Sequence, residues 1–409
     1  MTAPRDISTD VLIAGGGQVG LALALALRLS APTLSVALVD AAAPGSRPRA
    51  GRASTIVPGA QRMLAALGVW DAVAGDAEPV TEMIITDSRT RDLVRPVFLT
   101  FAPEKDDGPI AHVVPDGVVV AALADAAARA GVTLIAPDAV VDFTGGATAV
   151  TATLKNGAAV KAKLLVAADG VGSKLRALAG IATVGDSYGQ SGIVVTVEHE
   201  KPHNGRAEEH FLPGGPFATL PLKGNRSSLV WTEPTDVAER LIKSDAFVFG
   251  LELERRFGNR LGAIKAADPP KAFPLGITLA RSFVKERFAL VGDAAHSIHP
   301  IAGQGLNLGY RDVAALAETI VEAHRLGLDI GATAVLERYE RWRRYDTMEM
   351  ALATDGLNRL FANDNAVLRI VRDVGLGIVE RLPGLKRLFI AEASGEGKEA
   401  PRLLRGEAI

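Results

Sequence analysis

The 409-residue chain contains no cysteine. Disulfides, thiolate metal ligands, a self-held iron–sulfur cluster and a cysteine nucleophile are therefore excluded. A reducing cytosol fits that absence without being required by it. The net charge is only −2, which gives no reason to expect nucleic acid or an anionic membrane as a partner. No secretory signal is legible at the N-terminus. The uncharged stretch Val11–Leu27 is too short for a membrane span. It is interrupted by Gly15, Gly16, Gly17 and Gly20, and Asp10 and Arg28 bound it. His199, His203 and His210 lack metal-ligand spacing and read as surface or structural histidines. What is present is 48% hydrophobic and 22% charged residues, a globular composition. The length allows a large core and two closely joined units.

Asp10–Asp40 reads as a β-α-β unit. Val11–Ala14 is an apolar strand, Leu21–Leu29 an Ala/Leu-rich helix and Leu34–Val39 a second strand. Gly15, Gly17 and Gly20 stand at the strand–helix junction as G-x-G-x-x-G. In such a junction the first glycine permits the tight turn, the second admits a pyrophosphate and the third lets helix and strand pack closely. Asp40 lies 20 residues after Gly20, where a carboxylate accepts from ribose hydroxyls. These residues point to a dinucleotide and do not by themselves separate FAD from NAD.

The stretch Arg287–Asp312 repeats the strand–turn–helix theme. Phe288–Val291 is a short apolar run, ended by Gly292 and Asp293. A loop with Pro300, Gly303 and Gly305 then opens a helical pattern from about Leu306, with Asn307 and Gly309 within it. A helix start offers unpaired N–H groups and a partial positive charge, which suits a ligand that becomes anionic. Between these two segments, Leu164–Ala168 runs into Asp169-Gly170, followed by Gly172, Ser173 and Arg176.

The run from His299 to Asp312, His-Pro-Ile-Ala-Gly-Gln-Gly-Leu-Asn-Leu-Gly-Tyr-Arg-Asp, resembles the signature of the ubiquinone-biosynthesis hydroxylases. These form a branch of the FAD-dependent aromatic-ring monooxygenases, and the likeness extends over nearly the whole chain. Asp169-Gly170 is similar to the Asp-Gly motif of that family, close to FAD and the nicotinamide donor. Arg52, at the head of Arg52–Trp70, aligns with an arginine that reaches the cofactor, although Ser54-Thr55-Ile56 replaces the usual Ala-Leu-Ser. Arg47 and Arg49 read as solvated loop residues. At His112-Val113-Val114-Pro115-Asp116 the family has aromatic-Val-Val-Glu-Asn, so Asp116 reads as a helix cap.

The resemblance implies an α/β fold: a Rossmann-like FAD-binding domain of the p-hydroxybenzoate hydroxylase type, an interleaved and mostly antiparallel substrate sheet, and a helical C-terminal region. The FAD-binding parts would be 1–75, 109–186 and 276–325. The substrate domain would take 76–108 and 187–275, the helical region 326–393 and a flexible tail 394–409. Within 187–275, strands are expected at Ile193–Glu198, Glu209–Phe211, Phe217–Leu222 and Ser228–Thr232, with helices over Asp236–Ile242 and Asp245–Phe257. Asn156-Gly157 marks a hairpin. Helices are expected over Asp312–Leu326, Val335–Asn363, Asn365–Leu382 and Leu385–Ala391. The last, with Lys386 and Arg387, reads as ordinary packing, with a partner or peripheral membrane contact as the alternative in an otherwise cytoplasmic protein.

The implied reaction is ring hydroxylation of a polyprenylated phenol. FAD is reduced by NAD(P)H or another donor, takes up O2 and forms a flavin hydroperoxide. FAD contacts would come from Gly15, Gly17, Gly20, Asp40, Arg52, Asp169, Gly170, Gly292 and Asp293. Backbone N–H groups of Gly305, Leu306 and Asn307 would stabilise the reduced ring, and Pro300, Gly303 and Gly305 would form the catalytic loop. No metal is expected. His296 and His299 read as making structural hydrogen bonds, and no general base is selected. Phe211, Phe217, Leu220 and Leu222 could line a prenyl channel and equally could be core. Three alternatives stay open: a hydroxylase of another small aromatic, a flavin-dependent prenyl reductase, and a non-catalytic flavin-binding subunit. Ring position, donor and oligomeric state are not specified by the residues.

Overall fold

Apolar strands buried on both faces form the first sheet. The computed structural model describes residues 7–46, 51–87, 97–103, 108–361 and 400–409. Ile7–Ala14 pairs in parallel with Ala159–Ala167 on one side and Val36–Val39 on the other. Phe288–Leu290 adds to the free side of Ala159–Ala167, and Thr133–Ile135 to that of Val36–Val39, again in parallel. Residues 11–13, 164–167 and 288–290 are almost wholly buried, as continuous apolar runs in a covered parallel sheet should be. The covering helices include Gln18–Ser30, which packs against both Asp116–Arg129 and Gln304–Arg325. The Asn156-Gly157 hairpin is formed: Val150–Leu154 runs antiparallel to Ala159–Ala167.

The second sheet alternates. Its spine is the 17-residue strand Thr183–His199, flanked by Lys271–Ala280 and Arg226–Pro234. Gly215–Leu222, Arg206–Leu212, Glu82–Asp87 and Val97–Phe101 follow outward. All these pairs are antiparallel except Arg206–Leu212 with Glu82–Asp87. Ile193, Val195, Phe217, Leu229 and Trp231 point to one face. The helices Thr235–Lys243 and Ala246–Phe257 cover it, close to the expected positions. Glu78–Val80 belongs to a separate three-stranded sheet with Ala53–Ile56 and Ala111–Pro115.

After the long helix Gln304–Arg325 comes a second, Thr333–Phe361. The helices expected over Asn365–Leu382 and Leu385–Ala391, with Lys386 and Arg387, lie outside the described residues, as do Arg47 and Arg49. The tail expected to be flexible is, over 400–409, packed. Leu403, Leu404 and Ile409 are buried. Arg62 Nε donates to the Leu404 carbonyl (2.9 Å) and Arg325 Nη2 to that of Ile409 (2.8 Å). Polar composition misled here because a few apolar side chains and backbone acceptors suffice to anchor a short segment. No helix among the described residues is long and apolar enough to cross a membrane.

Candidate active site

Three turns stand side by side because the strands that end in them are neighbours. Gly15 N–H donates to the Val39 carbonyl (2.8 Å), Ala168 N–H to Ala14 (2.8 Å) and Val291 N–H to Ala167 (3.0 Å). The sequence-distant residues Gly15–Gly17, Asp169-Gly170 and Gly292-Asp293 therefore share one crevice beyond the carboxyl ends of parallel strands. Ligands bind to open α/β sheets in that position.

The first turn separates packing glycines from an open one. A Cβ on Gly20 would lie 1.9 Å from the Gly15 carbonyl oxygen, whereas a Cβ on Gly17 would meet nothing within 4 Å. Gly20 thus lets helix and turn approach, and Gly17 leaves a free surface at the start of Gln18–Ser30. Asp40 closes the second strand, its Oδ1 accepting from Ala42 N–H (3.3 Å). Asp169 is tied to the next short helix: it accepts from Ser173 Oγ (2.6 Å), and Ser173 in turn caps Arg176 N–H (3.0 Å). Arg176 Nη1 reaches the Ala294 carbonyl (2.7 Å), which joins the second turn to the third.

The glycine loop is a short 3-10 turn, Ile301–Gly303, entered through Pro300. Gly303 is left-handed (φ 65°) and precedes the helix Gln304–Arg325, so a residue with a Cβ would be strained there. Gly305 borders open space. Its N–H and that of Leu306 precede the first intrahelical donor, whereas helix register directs the Asn307 N–H to the Gly303 carbonyl. The Asn307 side chain is buried and fully engaged: Oδ1 accepts from Val57 N–H (3.2 Å), and Nδ2 donates to Thr55 (2.9 Å) and Gly303 (3.0 Å) carbonyls. Asn307 therefore fastens the loop to the strand Ala53–Ile56.

Asp116 is not a cap. It is the first residue of its helix and makes no capping bond. Its Oδ1 accepts from Ser54 Oγ (2.5 Å) and Gln18 Nε2 (3.1 Å), and its Oδ2 lies 3.5 Å from Arg52 Nε. Tyr310 donates to Gln18 Oε1 (2.7 Å). Burial raises the Asp116 carboxyl above the ordinary range, partly offset by Arg52, Ser54 and Gln18. Asp293 is open to solvent at its tip. Protein on its flanks nevertheless raises its carboxyl, against the pull of His296 and Arg52. The exposed Arg52 guanidinium thus pairs with Asp116 and acts on Asp293 at longer range.

Beneath the loop lies a buried cluster that the residue pattern did not announce. Asp312 accepts from Gly292 N–H (2.8 Å), His296 Nε2 (2.6 Å) and Arg343 Nε (2.9 Å). Burial alone would raise its carboxyl; His296 and Arg343 outweigh that and hold it below the usual range. Asp312 follows Arg311 in a helix that also carries Glu318 and Glu322, so no local signal marked it as buried. His296 makes its expected structural bond, and His299 does not. The His299 ring is fully buried, neither nitrogen has a partner among the described residues, and it meets Tyr188 edge-on at 5.2 Å. Burial lowers its pKa to about 4, with Asp355 opposing.

Of the four candidate channel residues, Phe217 lies in the helix-backed core, and Leu220 and Leu222 pack toward the small sheet. Phe211 alone packs against the loop, touching Ile301 and Ile85. His199, His203 and His210 are structural: each ring is bonded to a neighbouring carbonyl, hydroxyl or amide. No group of acids and histidines able to hold a metal occurs among the described residues.

Residues 8–351 match the family model described as FAD binding domain. The chain is 45% identical over 413 residues to the ubiquinone hydroxylase UbiL of Rhodospirillum rubrum, covering 99% of this chain and 95% of that protein. It is 35% identical to the 3-demethoxyubiquinol 3-hydroxylase of Escherichia coli, covering 95% and 98%. The crystal structure of the p-nitrophenol 4-monooxygenase PnpA from Pseudomonas putida superposes with a TM-score of 0.80 at 20% identity, covering 96% of this chain and all of that one. At that identity the likeness concerns the fold.

Proposed function

Because the chain belongs to the flavoprotein family defined by this FAD binding domain, we propose that it is an FAD-dependent monooxygenase hydroxylating the aromatic ring of a polyprenylated phenol in ubiquinone biosynthesis. O2 is the oxidant and NAD(P)H or another donor the reductant. The observation that carries this reading is the convergence of three turns from distant segments in one crevice, in a chain 45% identical along nearly its full length to a ubiquinone hydroxylase.

The residues fit FAD. The open surface at Gly17 admits a diphosphate at a helix start, and Arg52 supplies a cation for it. Gly15 and Gly20 shape that turn. Asp40 and Asp293 are acceptors for sugar and ribityl hydroxyls. Asp169-Gly170 and Gly292 border the same crevice. Gly305 and Leu306 N–H groups would stabilise negative charge on a flavin ring held at this helix start, and Pro300 and Gly303 would shape the loop that holds it. Asn307 serves by holding that loop in place. FAD bound there supplies the redox chemistry that side chains cannot. The second sheet, which brings Phe211 against Ile301 of the loop, would keep bulk water from the reacting ring.

The test has two stages. The purified protein should show the oxidised-flavin band near about 450 nm, or acquire it with added FAD. It should then convert a prenylated phenol to a product carrying one atom from isotope-labelled dioxygen. Deletion in the host should accumulate a quinone precursor lacking one hydroxyl. Protein that stays colourless with excess FAD, or an unchanged quinone pool with no redundant enzyme, overturns the reading.

A further inference from the structure

Asp116 lies beside the turn at which the proposed cofactor's diphosphate would bind. Its contacts come from two other segments: Ser54 and Arg52 from the small sheet and its approach, and Gln18 from the first turn of the glycine-turn helix. Gln18 follows Gly17 directly, so Asp116 is one side chain away from the open surface of that turn. The backbone repeats the link: Asp116 N–H donates to the Arg52 carbonyl (2.9 Å). The titratable and charged groups that face it are Arg52 and, from the helix Gln304–Arg325, Tyr310. Asp293 acts on the same guanidinium from the third turn. Arg52 itself is 67% exposed on its side chain and can turn toward a ligand.

We propose that Asp116 positions Arg52 and competes with the diphosphate for it, so that FAD binds more tightly when Asp116 takes up a proton. Ionised, the carboxylate neutralises the cation the ligand needs and repels the ligand itself. Protonated, it keeps its hydrogen bonds to Ser54 and Gln18 and releases Arg52. Linkage makes the effect reciprocal: bound diphosphate must raise the proton affinity of Asp116 by the same factor. Burial raises that carboxyl above its ordinary value, against the pull of Arg52, Ser54 and Gln18, which is the direction that favours release of Arg52. The inference rests on the proposed function only in taking FAD as the ligand.

The experiment dilutes FAD-loaded protein and reads released flavin by fluorescence, from about pH 5 to about pH 8.5. Wild-type Kd should rise by about tenfold across that range. Asp116→Asn should bind with a nearly pH-independent Kd, close to the wild-type value at the acidic end. Arg52→Gln, at an exposed position, should bind weakly and keep only the smaller pH dependence left by direct repulsion between Asp116 and the ligand. A flat wild-type profile, or an Asp116→Asn profile that tracks wild type, overturns the inference and leaves FAD binding intact. Failure of every form to bind FAD overturns the proposed function instead.

Discussion

Replacing Asp312 with alanine is the most severe single change we expect outside the sheet cores. The carboxylate is completely buried and accepts three hydrogen bonds, from Gly292 N–H, His296 and Arg343. Arg343 is 1% exposed on its side chain, and Asp346 is its other hydrogen-bonded carboxylate. Asp312→Ala therefore strands a buried guanidinium, a ring nitrogen and a backbone N–H together. Removing one partner of a buried ion pair costs about 3–5 kcal/mol. The unfolding entropy for a chain of this length is about 0.9 kcal/mol/K, so Tm should fall by about 3–6 °C. Circular dichroism and release of flavin fluorescence on heating would both record it. Arg343→Met alone should cost a similar amount. The double variant should cost less than the sum of the two by about 0.5–3 kcal/mol, because its members share one interaction. Since Asp312 fixes the Gly292 turn, FAD should also leave the Asp312→Ala protein more readily. A Tm within about 1 °C of wild type, or strict additivity in the double variant, would refute this account of the cluster.

Other expectations are as direct. Gly17→Ala should fold normally and lose FAD, because its Cβ meets no protein atom; Gly20→Ala should lose stability as well, its Cβ colliding with the Gly15 carbonyl, and thermal melts with flavin content separate the two. His299 is held below the ordinary histidine value of 6.5, at about 4, so the unfolded chain takes up the proton first as pH falls. Stability is then lost between those values, about 2 kcal/mol from pH 7.5 to pH 5. His299→Phe, which forfeits no hydrogen bond, should match wild type at neutral pH and lack that loss; parallel pH profiles in urea melts would refute it. Leu404→Ala should cost about 2–3 kcal/mol, since Leu404 is buried; an unchanged urea midpoint would show the terminal segment to be undocked.

The parallel sheet and its turns were legible because each rests on local signals. Val11–Ala14, Leu164–Ala168 and Phe288–Val291 are short apolar runs, and each ends in Gly or Asp. The antiparallel sheet was legible as strand-length runs separated by Gly and Pro, and Asn156-Gly157 marked the hairpin of the first sheet. The contacts across segments were not. Asp116 looked like a cap because its sequence neighbours describe a helix start, whereas its real partners are 62 and 98 residues away. Arg311 and Asp312 carry no local mark of burial, yet their helix is covered over most of its length and both residues are buried. His299 looked hydrogen-bonded because buried histidines usually are; only the surroundings of the ring could say otherwise. The order in which the crevice was legible follows the range of the interactions: turns first, then strands, and the ionic cross-links last.

The strand order has a consequence for synthesis of the protein. Phe288–Leu290 docks beside Ala159–Ala167, which docks beside Ile7–Ala14, so the crevice needs residues drawn from both ends of a long stretch of polypeptide. A ribosome that has released only the glycine-turn unit has exposed one wall of the site and nothing to close it. Flavin capture is thereby postponed until the helix Gln304–Arg325 has emerged, and nascent chains arrested earlier should leave the tunnel without pigment.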